Sequence, residues 1–216
     1  ARARSAPAYP VEDEDHRRAG EYELGLGGSY QKLNAALALG VLRQLRGKWP
    51  VEERAIEKGL QKVGWDGRWQ VIGMSHQKQL ILDATHNPEG LVYLEKNLQQ
   101  LIKHYQQKPI IMAGTTGSER AATLIPLLLS YAKELHLLVP KQNRAVPFEE
   151  LETHIPADTK IAVYRSQLED CIPAPDTLSI GEAGDIIVCT GSIYLIGEAL
   201  ERMVPDKALY GHQLQD

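Results

Sequence analysis

The sequence predicts an α/β fold built on a mainly parallel sheet with helices on both faces. Two observations carry that prediction. From residue 68 onward, short apolar runs alternate with amphipathic helical segments, the pattern of a layered α/β domain. The runs are continuously apolar, as strands covered on both faces must be. They place strands at 70–72, 80–83, 110–113, 135–139, 160–163 and 185–189, and helices at 89–105, 118–132, 147–154 and 191–203. In the first of these helices Leu91, Leu94, Leu98, Leu101 and Ile102 share one face. Right-handed crossovers between parallel strands then give a Rossmann-like arrangement. Ligands of such sheets sit beyond the carboxyl ends of the strands.

The upstream segment reads differently. Residues 1–20 are polar and broken by Pro7, Pro10 and Gly20. The run Glu12-Asp13-Glu14-Asp15, followed by His16-Arg17-Arg18, predicts a solvated loop or the edge of an incomplete element. Residues 22–26 alternate weakly and predict a strand ending at Gly27-Gly28. A helix is expected over 30–46, where Leu33, Leu37, Val41 and Leu45 recur at helical spacing and Gly47 stops the pattern. A second helix is expected from Pro50, carrying Ile56, Leu60 and Val63 and ending before Gly64.

Composition narrows the function classes. The 216 residues are 43% hydrophobic and 24% charged, with 24 basic against 28 acidic side chains and a net charge of −4. That balance offers no basic footprint for nucleic acid and no polybasic stretch for a membrane surface. No apolar run reaches the roughly 18 residues of a membrane span. Two cysteines, Cys171 and Cys189, fit reduced thiols in the cytoplasm better than a disulfide framework. The chain starts without Met, and residues 1–10 lack an apolar signal core. The expectation is a fragment of a longer protein.

The most informative segment runs from Leu80 through Asp83, Ala84, Thr85, His86, Asn87 and Pro88 to Gly90. A hydrophobic strand delivers Asp83 and His86 to its carboxyl end. Asn87 is placed to cap the next helix and Pro88 to open it. Asp83 can accept hydrogen bonds from ribose hydroxyls, and His86 can donate to a phosphate or acyl-phosphate oxygen. The same two residues could equally serve only turn and cap hydrogen bonds. Arg68 opens a strand and offers five fixed donors to ribose or phosphate oxygens, though most arginines are simply solvated. Asn34 lies in the first turn of its helix, where an amide can pair with an adenine edge or merely form a polar first turn. Thr190-Gly191-Ser192 opens the last helix, where backbone N–H groups can bind anions. Gly114-Thr115-Thr116-Gly117-Ser118 also follows a strand, and both segments are ordinary strand-to-helix turns in composition. His76, His104, His136 and His154 read as surface or edge residues.

Several chemistries lack their parts. The sequence has no Gly-x-x-x-x-Gly-Lys-Ser/Thr phosphate loop and no Gly-x-Gly-x-x-Gly after a strand. It has no zinc-type Cys/His spacing and no Gly-x-Ser-x-Gly nucleophile elbow.

Four segments, in order, resemble one family. Asp83-Ala84-Thr85-His86-Asn87-Pro88 resembles the Asp-Gly-Ala-His-Asn-Pro signature of folylpolyglutamate and dihydrofolate synthases, members of the Mur ligase superfamily. The stretch from Gly59-Leu60 through Val63, Trp65 and Gly67-Arg68 is similar to the family's Gly-Leu-x-x-Val-x-Trp-x-Gly-Arg. Gly28 to Asn34 resembles Gly-x-His-Gln-x-x-Asn, and Cys189 to Glu198 resembles the family's Cys-Gly-Ser-Leu-Tyr-Leu-Val-Gly-Glu ending. Departures occur at Tyr30, where the family has His, at Thr85, and at 116–120, which replaces an Asp-Lys-Asp-like stretch.

The resemblance implies a remnant of the central ATPase domain at 1–48, a linker helix at 49–66 and a C-terminal Rossmann-like domain at 67–216. It implies ATP and Mg2+ as cofactors, with most metal ligands and the phosphate loop supplied by an N-terminal P-loop domain. Asn34 would contact adenine, Arg68 and Asp83 the nucleotide, and His86 the region of the terminal phosphate as the catalytic residue. No metal ligand is expected in this chain. The partners implied are L-glutamate with a reduced folate or dihydropteroate, joined through an acyl phosphate by a cytoplasmic monomer, and the fragment alone would be inactive. Two readings stay beside it. The altered 114–120 loop would suit a different Mur-type ligase, and the missing phosphate loop would suit a non-catalytic Rossmann-like binding module.

Overall fold

A computed structural model describes residues 7–203. The parts of the expected segments that fall on 1–6 and 204–216 lie outside the described residues. The chain divides into two compact units, Ala1–Trp65 and Asp66–Asp216.

Unit 1 holds three helices, α1 (Asp13–Glu21), α2 (Gln31–Leu45) and α3 (Glu53–Lys62). The acidic run is not a loop. It forms the first turn of α1, where carboxylates complement the unpaired N–H groups of a helix start. The backbone N–H of Glu12 donates to Asp15 Oδ2 at 3.0 Å, and Arg43 on α2 pairs with the same oxygen at 3.0 Å. Asp15 is buried, so its charge is held by a partner from another helix. The expected strand over 22–26 is absent. An extended segment needs a neighbouring strand, and here the Gly25 N–H instead donates to Leu60 O at 2.9 Å. The approach to α3 is close enough that a side chain at Gly25 would collide with the Gln61 carbonyl. Ala19, Ala35, Ala36 and Leu39 are buried together, with Ile56 and Leu60 packed against them. The residues whose spacing predicts α2 are therefore not the ones unit 1 buries, since Leu33, Leu37 and Val41 are exposed.

Unit 2 is a six-stranded sheet in the order β1-β2-β6-β3-β4-β5. The strands are β1 (Arg68–Gly73), β2 (Gln79–Asp83), β3 (Ile110–Ala113), β4 (Glu134–Leu137), β5 (Val163–Arg165) and β6 (Ile186–Thr190). All pairings are parallel except β1 with β2. The helices are α4 (Pro88–Tyr105), α5 (Ser118–Tyr131), α6 (Phe148–Thr153), α7 (Leu168–Cys171) and α8 (Ile193–Met203). Side chains of a strand alternate between faces, which sorts the core into two layers. Leu80, Leu82, Met112, Ile187 and Cys189 pack with α8 through Leu195, Ile196 and Ala199. Ile81, Ile111 and Val188 pack on the other face with Leu94 and Leu98 of α4 and with Ile125 and Leu128 of α5.

The departures from expectation concern the edge. The fifth strand begins where the expected 160–163 segment ends. It is short and largely exposed, so its residues carry little of the apolar signal that marks a buried strand. The fourth strand stops at Leu137. The short α7 had no periodic signal. His136 is buried, not at the surface; its Nδ1 is 2.8 Å from Ser166 Oγ and its ring stacks on Tyr164. Both cysteines are free and buried, and burial pushes the Cys171 thiol up to about 11 and Cys189 higher still, which leaves both inert as nucleophiles.

Leu98 is fully buried between α4 and the sheet. Leu98→Ala is expected to destabilise the chain by about 2–5 kcal/mol, measured by chemical denaturation. A loss below about 1 kcal/mol would mean that α4 does not anchor this layer.

Candidate functional site

The site grows from the carboxyl end of β2. Asp83 closes the strand and is almost fully buried, at 1% exposure. Its Oδ1 accepts from the Thr85 N–H at 3.0 Å and from the Thr85 hydroxyl. A bulge between Arg68 and Gln70 sets Arg68 opposite Asp83 across the antiparallel pair. The Arg68 charge and the Trp69 backbone favour the carboxylate. No group among the described residues completes a well-formed hydrogen bond to Oδ2. Desolvation outweighs the favourable contacts, so the Asp83 carboxyl is held above the usual carboxylate range.

His86 follows in the loop. Its Nδ1 lies 2.8 Å from the Ala84 carbonyl oxygen. That oxygen can only accept, so Nδ1 carries the proton. The ring nitrogen left for a ligand is Nε2, which accepts when the ring is neutral and donates when it is an imidazolium. Asn87 caps α4 as its side chain accepts from the Gly90 N–H at 2.8 Å, and Pro88 occupies the first helical turn. Cap and proline together fix the direction in which the loop leaves the sheet.

A cavity of about 290 Å³ opens between the N-terminal turns of α4 and α5. One wall is His86, Asn87 and Leu91, and the other is Glu119, Arg120 and Thr123. Thr115 and Gly191 also line it. Gly191 has φ +102°, and a side chain there would strike the Gly114 carbonyl and Leu124; only glycine lets β6 turn into α8 this close to β3. Arg120 donates to the Thr116 hydroxyl at 3.1 Å. A shallower depression beside it is lined by residues 116–120 and Arg144. The hydroxyls of Thr115 and Thr190 are buried without a partner among the described residues.

The sequence-derived residues divide between the units. Arg68, Asp83 and His86 lie in unit 2 at one end of β1 and β2. Asn34 lies in unit 1, exposed in the first turn of α2 with its amide donating to Gln31 Oε1 at 3.0 Å. Glu119 and Arg120 fall in the 116–120 stretch that departs from the family, although neither was among the site residues selected from sequence. Their signal was position alone: they open the helix that follows a buried strand, where ligands of parallel sheets collect. Among the described residues, no group of three or more His, Cys, Asp or Glu side chains is placed to hold a metal ion. No described helix is long and apolar enough to cross a membrane.

A mainly parallel sheet with apolar layers packed on both faces defines a Rossmann-like domain. The chain is 27% identical over 204 residues to folylpolyglutamate synthase of Lacticaseibacillus casei, a match covering 93% of this chain and 44% of that protein. In fold it is similar to the folylpolyglutamate synthase/dihydrofolate synthase of Yersinia pestis solved with AMPPNP and a Mn ion, with TM-score 0.63, 20% identity, and coverage of 88% of this chain and 41% of that one. It is also similar to the Mycobacterium tuberculosis folylpolyglutamate synthase solved with ADP, with TM-score 0.64, 21% identity, and coverage of 85% and 42%. No protein-family model matches the chain. The chain is thus similar to part of the folylpolyglutamate and dihydrofolate synthases. It spans less than half the length of the relatives it matches here.

The raised pKa of Asp83 fixes a sign. A carboxyl whose folded value lies above its unfolded one contributes most below the unfolded pKa, near 4, and that contribution is lost as pH rises through the folded value. Asp83→Asn removes the ionisation. It is expected to raise the melting temperature relative to the native chain at pH 7, with the gain shrinking toward pH 4. Melting curves at the two pH values check this, and a gain that grows on acidification would contradict the burial argument.

Proposed function

We propose that this chain is the C-terminal part of an ATP-dependent ligase that adds L-glutamate to a folate, either a reduced folate or dihydropteroate. The observation that carries the reading is the strand-end arrangement of Asp83 and His86 beside a cavity flanked by Glu119 and Arg120. It occurs in a chain that aligns along most of its length with a folylpolyglutamate synthase.

In this reading the chain comprises an ATPase-domain remnant at 1–48, a linker helix at 49–66 and a substrate-closing Rossmann-like domain at 67–216. The phosphate loop and most magnesium ligands belong to an N-terminal P-loop domain. Bound ATP with Mg2+ supplies the phosphoryl group. A folate carboxylate takes that group to form an acyl phosphate, releasing ADP. The glutamate amino group then attacks the acyl carbon, and the amide forms as phosphate leaves and the nitrogen loses a proton.

The chain's own residues bind and position. Asn34 meets the adenine edge. Arg68 meets nucleotide oxygens, its fork suited to paired acceptors, and Asp83 takes ribose hydroxyls with its unpaired Oδ2. His86 holds a proton at Nδ1 against Ala84 and presents Nε2 toward the transferring phosphate, where an imidazolium stabilises charge. Arg120 is the cation of the cavity and suits a carboxylate of the incoming amino acid. The protein acts in the cytoplasm as a monomer.

Ligase assays on the full-length protein test this, with ATP, L-glutamate and either tetrahydrofolate or dihydropteroate. His86→Ala is expected to lower kcat by about 100-fold, and Arg68→Ala to raise KM for ATP by about tenfold through loss of a charged hydrogen bond. ADP release that is absent with both acceptors overturns the reading. An unchanged kcat in the His86 variant removes that residue from the chemistry.

A further inference from the structure

The first turn of α5 stands between two hollows, and the outer one has no ligand assigned to it. The inner cavity, with His86 on one wall, and the outer depression of about 470 Å³ share Glu119 and Arg120. Arg144 lines only the outer one. Among the described residues neither Arg120 nor Arg144 has a carboxylate partner, whereas Arg17, Arg18, Arg43 and Arg165 each do. Two guanidinium groups against the single carboxylate of Glu119 leave the depression cationic. No side chain caps α5, so the N–H groups of its first turn add partial positive charge at the same place.

The backbone fixes these groups relative to one another. The Gly117 N–H donates to the Arg144 carbonyl at 3.3 Å, and the Val146 N–H donates to the Thr115 carbonyl at 3.0 Å. Thr116 and Ala145 form a β-bridge between these two contacts. The Arg120 side chain is tied to the Thr116 hydroxyl at 3.1 Å. The segment carrying Arg144 is thus fastened to the loop that starts α5. A separate sign of a ligand lies just inside. Thr115 is 0% exposed, its hydroxyl has no partner among the described residues, and it lines the inner cavity. A buried hydroxyl left unpaired costs free energy that a bound polar group would recover.

A fixed pair of arginines beside a helix start suits an anion with paired oxygens. In the ligase reading the phosphate lies at His86 in the inner cavity, so the anion left for Arg144 is a carboxylate. The product of adding glutamate to a folate again ends in a glutamyl carboxylate, and it can return as an acceptor. When its last residue reacts in the inner cavity, the residue behind it lies outside, where Arg144 stands.

We infer that Arg144 is a specificity-determining residue: the outer depression binds the carboxylate of a glutamyl residue behind the reacting one, so the ligase favours acceptors that already carry a glutamyl tail. This inference rests on the ligase reading and adds a subsite to it. An acceptor with a single glutamate has no carboxylate behind the reacting residue and makes no use of Arg144.

Initial rates of the full-length protein test this, with ATP, L-glutamate and either tetrahydrofolate or its γ-linked triglutamate form as acceptor. Arg144→Ala is expected to raise KM for the triglutamate form by about tenfold, the loss of one charged hydrogen bond, and to leave KM for tetrahydrofolate, L-glutamate and ATP within about twofold of native. Arg144→Lys keeps the charge but loses the fork, and is expected to recover part of the affinity. An equal rise for both acceptors overturns the inference, as does an unchanged KM for the triglutamate form. A rise confined to L-glutamate also sinks it, because the depression then serves the incoming amino acid. Calorimetry with free γ-linked tri-L-glutamate separates this subsite from the reading beneath it. A native protein that binds the peptide about tenfold more tightly than Arg144→Ala, yet shows no ligase activity, supports the subsite and defeats the ligase reading. An active native protein that binds the peptide no better than the variant defeats the subsite alone.

Discussion

The burial of β2 on both faces constrains everything else in unit 2. Leu80 and Leu82 must enter one apolar layer, so Ile81 and Asp83 are committed to the other. The last position of the strand thus puts a carboxyl on the side covered by α4 and α5, stripped of water. Thr85 satisfies one of its oxygens. The other is left without a well-formed partner among the described residues. An isolated buried acceptor costs free energy in the absence of ligand. Asp83 itself does not line the cavity, which begins two residues later at Thr85.

The chemistry available there follows from a few fixed groups. His86 is oriented by the Ala84 carbonyl, which settles the tautomer and leaves Nε2 as the nitrogen a ligand meets. Glu119 and Arg120 bring opposite charges to the facing wall, the complement of a zwitterion. Gly191 lets the turn after β6 come close to Gly114 and Leu124, so that the ends of adjacent strands share one cavity. Together these features shape the cavity between α4 and α5.

Much of unit 2 was legible in the sequence because its signal is strong. The strands at 80–83 and 110–113 are unbroken apolar runs, and each is buried in the sheet. The Asn87-Pro88 pair marked the start of α4 to the residue. The edge strand at 163–165 was misplaced because exposure removes the apolar run that would reveal it. The acidic segment at 12–15 misled for a different reason. A run of carboxylates ordinarily reads as solvated, but here Arg43, 28 residues away, pairs with Asp15 and draws it into a helix packed on α2. Long-range pairing of that kind leaves no local trace. The placement of Asp83 and His86 at the end of β2 was readable from motif and strand position, whereas the sequence marked 116–120 only as a stretch that departs from the family, and α5 facing α4 is what brings Arg120 to the cavity wall.

In unit 1, α2 buries Ala35, Ala36 and Leu39 and leaves Leu33, Leu37 and Val41 exposed. The central claim, however, concerns the strand ends of unit 2. A crystal structure of the full-length protein with a non-hydrolysable ATP analogue and L-glutamate tests it most directly. The account predicts ligand density in the cavity between α4 and α5, with His86 Nε2 within hydrogen-bond distance of a ligand oxygen. Ligands bound elsewhere, with that cavity empty and His86 touching only protein, would contradict it.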